Sequence, residues 1–279
     1  MDITKLFKDA LNYPTTNWKR LLILGVFLVL VGLSEIVDSL NGTINSFGVI
    51  TIGEFIFFIF IIVFGLISMG YLLSIIKETI SNPENPMPNF DLIGNMVSGV
   101  SVFIVIIIYL IIPALITFVL ALVTNSFSVL SSLFNTTTGS YIGDPAISGA
   151  SLSFAVVLII GLMLFIISCL LMFIAISILA ETGSIAKAIN FPLVFKKIGE
   201  IGWANYIIFL IIYLILSGVI IFISRLVIGV FMTIGFFMGS FSLFVTTIGV
   251  IISTLLIESF LNIFNSRAAG LIYNESKKE

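Results

Sequence analysis

The sequence predicts an all-α, polytopic bundle of about six membrane-spanning helices. Three observations carry that prediction. Apolar residues make up 59% of the 279 and charged residues only 9%. Soluble domains carry roughly 25% charged residues, so too few wettable side chains remain here to cover a water-facing surface. The apolar residues also fall into long runs, most of them at or above the ~20 residues that a helix needs to cross hydrocarbon. Finally, the Lys and Arg residues gather in the segments that alternate runs leave on one side.

Six spans follow in order. The first run covers 21–40, but its uncharged part ends at Ser34, so Glu35 falls within or near the outer boundary. The second run, 55–76, and the third, 97–123, are clear spans. Pro113 inside the third removes one backbone donor and predicts a kink. The fourth, 152–180, is long enough that it must tilt or project. The last apolar stretch runs from Trp203 to Ile257, broken only by Arg225. It divides into spans at 203–224 and 241–264, with Arg225, Gly235 and Gly239 at the join. A Gly-x-x-x-Gly pair serves either as a close packing face or as a turn. All of 1–279 is read as one integral membrane domain, and the N-terminal run as a retained span rather than a cleaved signal.

Orientation comes from the basic residues. With odd spans running outward, Lys5, Lys8, Lys19, Arg20, Lys77, Lys187, Lys196, Lys197, Arg267, Lys277 and Lys278 all lie inside, leaving Arg225 as the exception. The positive-inside rule then places both termini in the cytoplasm of a plasma-membrane protein. The outer loops hold two short sequons, Asn41-Gly42-Thr43 and Asn135-Thr136-Thr137. Trp18, Tyr71, Trp203 and Tyr273 fall near inner boundaries, as an aromatic belt does.

The inner segments have their own pattern. Ile3, Leu6, Phe7, Ala10 and Leu11 share one helical face, opposite Asp2, Lys5, Lys8 and Asp9. This predicts an interfacial amphipathic helix that plugs the inner side of the bundle. Ala10-Leu11-Asn12-Tyr13-Pro14 recurs as Ala188-Ile189-Asn190-Phe191-Pro192, and each proline is expected to end such a helix. Ile107-Ile108-Tyr109-Leu110-Ile111 recurs as Ile211-Ile212-Tyr213-Leu214-Ile215. A plan of three units follows, each an inner segment and a two-span hairpin. In the middle unit, Pro83, Pro86 and Pro88 make 81–91 an irregular loop.

Chemistry is sparse. There is no histidine, which excludes His-based triads and zinc-hydrolase motifs. No phosphate-loop, dinucleotide or nucleophile-elbow pattern is present, so no catalytic, cofactor-binding or metal-binding residues are assigned. Cys169, the single cysteine, lies in an apolar run and reads as packing. A net charge of −2 gives no electrostatic footprint for nucleic acid. The candidate site residues are the intramembrane charges Glu35, Arg225 and Glu258. Glu35 and Arg225 fall in the same leaflet and are expected to pair. Glu258 has Lys19, Arg20 or Arg267 as candidate partners.

Several stretches in order carry a resemblance. They are Tyr13-Pro14 with Trp18-Lys19-Arg20-Leu21-Leu22-Ile23, Gly70-Tyr71-Leu72 with Ile76-Lys77, Met87-Pro88-Asn89-Phe90-Asp91, Gly99 with Tyr109 and Pro113, and Ala269-Gly270-Leu271-Ile272-Tyr273. Together they resemble the prokaryotic, largely archaeal, multi-pass membrane proteins called domain of unknown function 4013. That family's pattern has an acid where this chain has Asn17, and Leu-Pro-Glu-Trp where it has Met87-Pro88-Asn89-Phe90. The resemblance implies the multi-pass topology and supplies no catalytic residues. Three functions follow from the sequence. The foremost is a non-enzymatic scaffold or assembly protein, with the bilayer and other membrane chains or its own copies as partners. The others are a transporter or channel for a small solute or ion, and a lipid-acting membrane enzyme.

Overall fold

The computed structural model describes residues 2–41, 52–127 and 145–277, with side chains for all of these except 33–41, 52–57 and 145–151. Among the described residues the chain is helical, without strands. The helices are α1 (Ile3–Asn12), α2 (Trp18–Asn41), α3 (Ile52–Ser81), α4 (Leu92–Val123), α5 (Pro145–Thr182), α6 (Ile185–Ala188), α7 (Phe191–Ile201), α8 (Trp203–Phe237), α9 (Ser242–Ile252) and α10 (Ser259–Glu275). One π-helical turn, Ser253–Glu258, joins α9 to α10. Among the described residues five stretches are long and apolar enough to cross a membrane: 58–81, 92–123, 152–182, 203–237 and 239–275. A sixth span results if the bent pair 3–16 and 18–32 is counted as one. The two parts of that pair meet at 83°.

Sequence neighbours pack on one another: α2 on α3, α3 on α4 most extensively, α4 on α5, and α8 on α9. Helix α3 is the centre, touching α2, α4, α5 and α10. Its contact with α4 is a meeting of backbones. Gly70 of α3 lies against the backbone of Asn95, and Gly99 of α4 against the backbone of Leu66. Lipid tails are as apolar as leucine, so close packing of this kind drives helices together where water cannot.

Pro113 shows how a broken ladder is repaired. It lies inside α4 and cannot donate to the carbonyl of Tyr109, four residues back. The Ser168 hydroxyl of α5 donates to that carbonyl instead. The Thr117 hydroxyl donates to the carbonyl of Pro113 itself at 2.7 Å. In hydrocarbon no water is present to do either task.

Helix α1 begins with an Asp2 cap, whose carboxylate accepts from the Lys5 amide at 3.0 Å. It buries Leu6, Phe7 and Ala10, the face expected from its periodicity. Phe7 stacks on Phe209 with ring centroids 5.2 Å apart. The amphipathic face therefore packs into protein, as a plug. Pro14 follows the end of α1 at Asn12, as expected, whereas Pro192 begins a helix instead of ending one. Pro14 opens a 3₁₀ turn, Tyr13–Thr16, and Pro192 lies in the first turn of α7. That position tolerates proline because its amide has no intrahelical partner to lose. In both copies the alanine, Ala10 or Ala188, is fully buried.

The division of the last apolar stretch differs from expectation. Helix α8 continues through Arg225 to Phe237, and the turn lies at Met238–Phe241. A single charge can leave a helix sideways, so it does not mark an end. Gly239 supplies the turn with φ +57°. Gly235 lies where a Cβ would stand 2.8 Å from the Ser242 carbonyl, so the two helices close tightly just before it. Thus both roles open to the glycine pair are used, one by each glycine.

The interior is densest at the end of the bundle that carries α1, the 82–91 loop, α6, α7 and the end of α10. Toward the other end large side chains are bare, among them Leu115, Phe118 and Val123 of α4. Replacing Gly70 with alanine is expected to cost about 1–3 kcal/mol, the usual range for overpacking. Gly218→Ala, into open space, is expected to be neutral. Thermal unfolding of both variants in one detergent checks the contrast.

Candidate functional site

The charged end is held by Arg267 of α10. Its side chain is only 3% exposed. One guanidinium nitrogen, Nη2, donates to Asp9 Oδ2 at 2.9 Å and Oδ1 at 3.1 Å, and also to the Pro83 carbonyl. Nη1 donates to the Thr79 hydroxyl at 3.2 Å. The Tyr13 ring lies under the guanidinium, 4.2 Å from its carbon. One arginine thus joins α1, the following 3₁₀ turn, the end of α3, the 82–91 loop and α10. A buried arginine needs such company, because an unpaired charge there is strongly destabilising.

A second cluster ties the tail to α5. Glu181 accepts from the Tyr273 hydroxyl at 2.5 Å and pairs with Lys277 Nζ at 2.6 Å. The Asn274 amide donates to the Thr79 carbonyl at 2.8 Å. Tyr71 and Tyr273 are therefore not belt anchors; both are fully buried. Tyr71 stacks on Phe90 at 3.7 Å and donates to the Pro88 carbonyl at 3.3 Å. Trp18 and Trp203 are exposed. Cys169 is free and half-buried.

Beside these ties lies a polar cleft of about 530 Å³, bounded by the start of α2, the end of α3, the 82–91 loop and the start of α4. Arg20 and Asn95 line it. Arg20 Nη2 donates to Asn89 Oδ1 at 2.5 Å. Asn17 accepts from the Arg20 amide at 3.1 Å and so starts α2. The two amides that stand where the resembled pattern has acids are both used around Arg20. The sequence held the residues of this cleft but not their convergence.

Among the described residues, Arg225 and Glu258 form no ion pair with each other. Arg225 is exposed on α8. The side chain of Glu35 lies outside the described residues, and so does its expected pairing with Arg225. The sequon at Asn135 lies outside them as well, as does the side chain of Asn41. Glu258 is half-buried in the π turn, where its backbone carbonyl accepts from the Asn262 amide at 2.8 Å. Among the described residues its carboxylate makes no ion pair. Of its expected partners, Arg267 is taken by Asp9 and Arg20 faces Asn89. Nearby, the hydroxyls of Ser224 and Ser253 lie 2.7 Å apart between α8 and the π turn. Among the described residues, no group of three or more His, Cys, Asp or Glu could hold a metal ion.

Long apolar helices, close backbone packing and a cross-tied charged end define a multi-pass α-helical membrane protein. Residues 54–230 match the family described as protein of unknown function (DUF4013), and the chain belongs to that family. The match runs from α3 into α8. Asp9, Tyr13, Arg20 and Arg267 lie outside it. No curated protein and no solved structure matches the chain.

Asp9→Ala is expected to destabilise the protein by about 2 kcal/mol. That is below the ~3–5 kcal/mol for breaking a fully buried pair, because Asp9 is 38% exposed and water reaches it. Tryptic cleavage after Lys5 and Lys8 should accelerate as α1 loosens. Asp9→Ala with Arg267→Met removes the stranded charge and should recover part of the loss. A double variant no more stable than Asp9→Ala alone would rule out the buried charge as the cause.

Proposed function

We propose that the protein is a non-enzymatic assembly protein of the plasma membrane, with both termini in the cytoplasm, whose third hairpin docks on other membrane-embedded chains. The length and bareness of that hairpin carry the proposal. Helix α8 has 35 residues, which at 1.5 Å per residue is about 52 Å. Hydrocarbon is about 30 Å thick. Even at a tilt of ~40°, the upper end of what spans adopt, α8 still covers about 40 Å. Its tip carries no polar loop. Phe236 is 78% exposed and Phe237 80%, and Phe241 and Phe244 beside them are bare as well. Aromatic rings held beyond the hydrocarbon lose stability in water and gain it against another apolar surface. The cross-tied opposite end holds the hairpin's base rigid, which is what a docking element requires.

A transport reading draws on one observation. The π turn places Ser253 against Ser224, and Ser217 donates to Asn265 at 3.4 Å on the same seam, near Glu258. Such turns are frequent at functional sites.

Size measurement in mild detergent tests assembly. The wild type should run as more than one 30.5 kDa chain. Phe236→Ser with Phe237→Ser should release single chains without lowering the unfolding temperature. A wild type that is monomeric in detergent and yields no cross-linked partner in native membranes overturns the proposal. Ion flux into proteoliposomes that Glu258→Gln abolishes would favour transport instead. For orientation, a fluorescent protein fused to the C-terminus should fold and fluoresce, whereas alkaline phosphatase fused there should stay inactive.

A further inference from the structure

We propose that the polar cleft beside α2 and α4 binds a phosphate group, carried by an anionic phospholipid headgroup or by a soluble phosphoester. The site is independent of whether the third hairpin docks on partners. Four observations lead to it.

The first is a set of donors without acceptors. Asn95 is 3% exposed, and its Oδ1 accepts from the Ser74 hydroxyl at 3.1 Å. Its Nδ2 is buried and has no hydrogen-bond partner. Arg20 Nη1 is buried and has none either. Both residues line the same cleft. Buried donors without partners are rare in folded proteins and point to something missing that accepts.

The second is charge. Arg20 meets only a neutral amide, Asn89, and Lys77 at the cleft is exposed. Neither makes an ion pair among the described residues. Two carboxylates, Glu78 and Asp91, also line the cleft and match its two cations in number, and each is held by a neutral amide. Asp91 accepts from the Gly94 amide at 3.1 Å, capping α4, and Glu78 accepts from the Asn85 amide at 2.8 Å. With the carboxylates held in those bonds, the groups left without partners are the donors of Arg20 and Asn95, which an oxyanion satisfies and a metal ion does not.

The third is size. A cleft of about 530 Å³ is larger than a bare phosphate needs and takes an esterified one.

The fourth is the surround. Ile93 and Val97, on the same first turns of α4 as Asn95, are 75% and 61% exposed, and Trp18 beside Arg20's helix start is 56% exposed. An acyl chain lies well on such a surface while its headgroup turns into the cleft. Basic pockets between spans at this depth are where anionic headgroups bind.

The test compares ligands and variants by thermal unfolding of the full chain. The ligands are phosphatidylglycerol against phosphatidylcholine in nanodiscs, and glycerol phosphate against chloride at matched ionic strength in detergent. The variants are Arg20→Gln, Lys77→Gln and, as a distant control, Lys196→Gln. Native mass spectrometry reads the phospholipid retained through delipidation. Phosphatidylglycerol should raise the unfolding temperature of the wild type and of Lys196→Gln. Arg20→Gln and Lys77→Gln should each weaken retention about tenfold, the effect of ~1.4 kcal/mol. Stabilisation by phosphatidylglycerol alone assigns the site to a lipid. Stabilisation by glycerol phosphate as well assigns it to a soluble phosphoester. If neither shifts the wild type, or both shift wild type and Lys77→Gln equally, the proposal fails. Lys77 is exposed, so its replacement leaves the fold intact even where Arg20→Gln does not.

Discussion

The guanidinium of Arg267 sets the terms for everything around it. Taken out of water, it is tolerable only where several acceptors converge, and no single helix can supply them. Asp9 stands 258 positions away along the chain, and Thr79 and the Pro83 carbonyl come from the middle of the sequence. The charge therefore forces the start of the chain, the 82–91 loop and α10 to one point. With that end closed, α1 can lie across the bundle at a steep angle and bury Phe7 against Phe209 and Phe264. The Glu181 cluster adds α5 to the same cap. Beyond the cap the helices need little more than shape, because lipid covers what they leave bare.

Shape in turn rests on backbone approach and backbone satisfaction. Gly70 and Gly99 bring α3 and α4 together over a flat contact that any side chain would push apart. Gly25 of α2 meets the bulged backbone at Leu255 in the same manner. Where the ladder is broken, as at Pro113, a hydroxyl from a neighbour takes the carbonyl that proline cannot. Tyr206 does similar work by donating to the Leu170 carbonyl at 2.6 Å. These are cross-helix hydrogen bonds in a medium that offers no alternative partner.

Local features were legible in the sequence, and distant pairings were not. The apolar runs announce the spans, and the period of Ile3, Leu6, Phe7, Ala10 and Leu11 announces α1 and its buried face. Proline spacing announces the irregular 82–91 loop. The end of α8 was half legible: Arg225 offered a false boundary, while Gly239, one of the two glycines open to a packing face or a turn, does mark the turn at Met238–Phe241. Tyr71 and Tyr273 look like boundary anchors by position, yet their hydroxyls find acceptors within the protein. Arg267 was recognisable as a charge near the last span. Its tie to Asp9 follows from the 83° bend after α1, and periodicity carries no information about such a bend. The cleft at Arg20 and Asn95 was invisible for the same reason, since its walls come from four separate stretches.

The π turn at Ser253–Glu258 has a consequence for the rod that contains it. Each residue advances a helix by ~100°, and a π turn holds one more residue than an α turn. The apolar stripe of α9 is thereby rotated before it becomes the stripe of α10. Helix α9 faces α8, its hairpin mate, whereas α10 faces α3 and α1. One continuous helix thus serves two different neighbourhoods, with the phase change between them held in a single bulge beside Gly25. The turn works as a splice between the third hairpin and the charged cap, so each half can keep its own packing register while the two remain mechanically one piece.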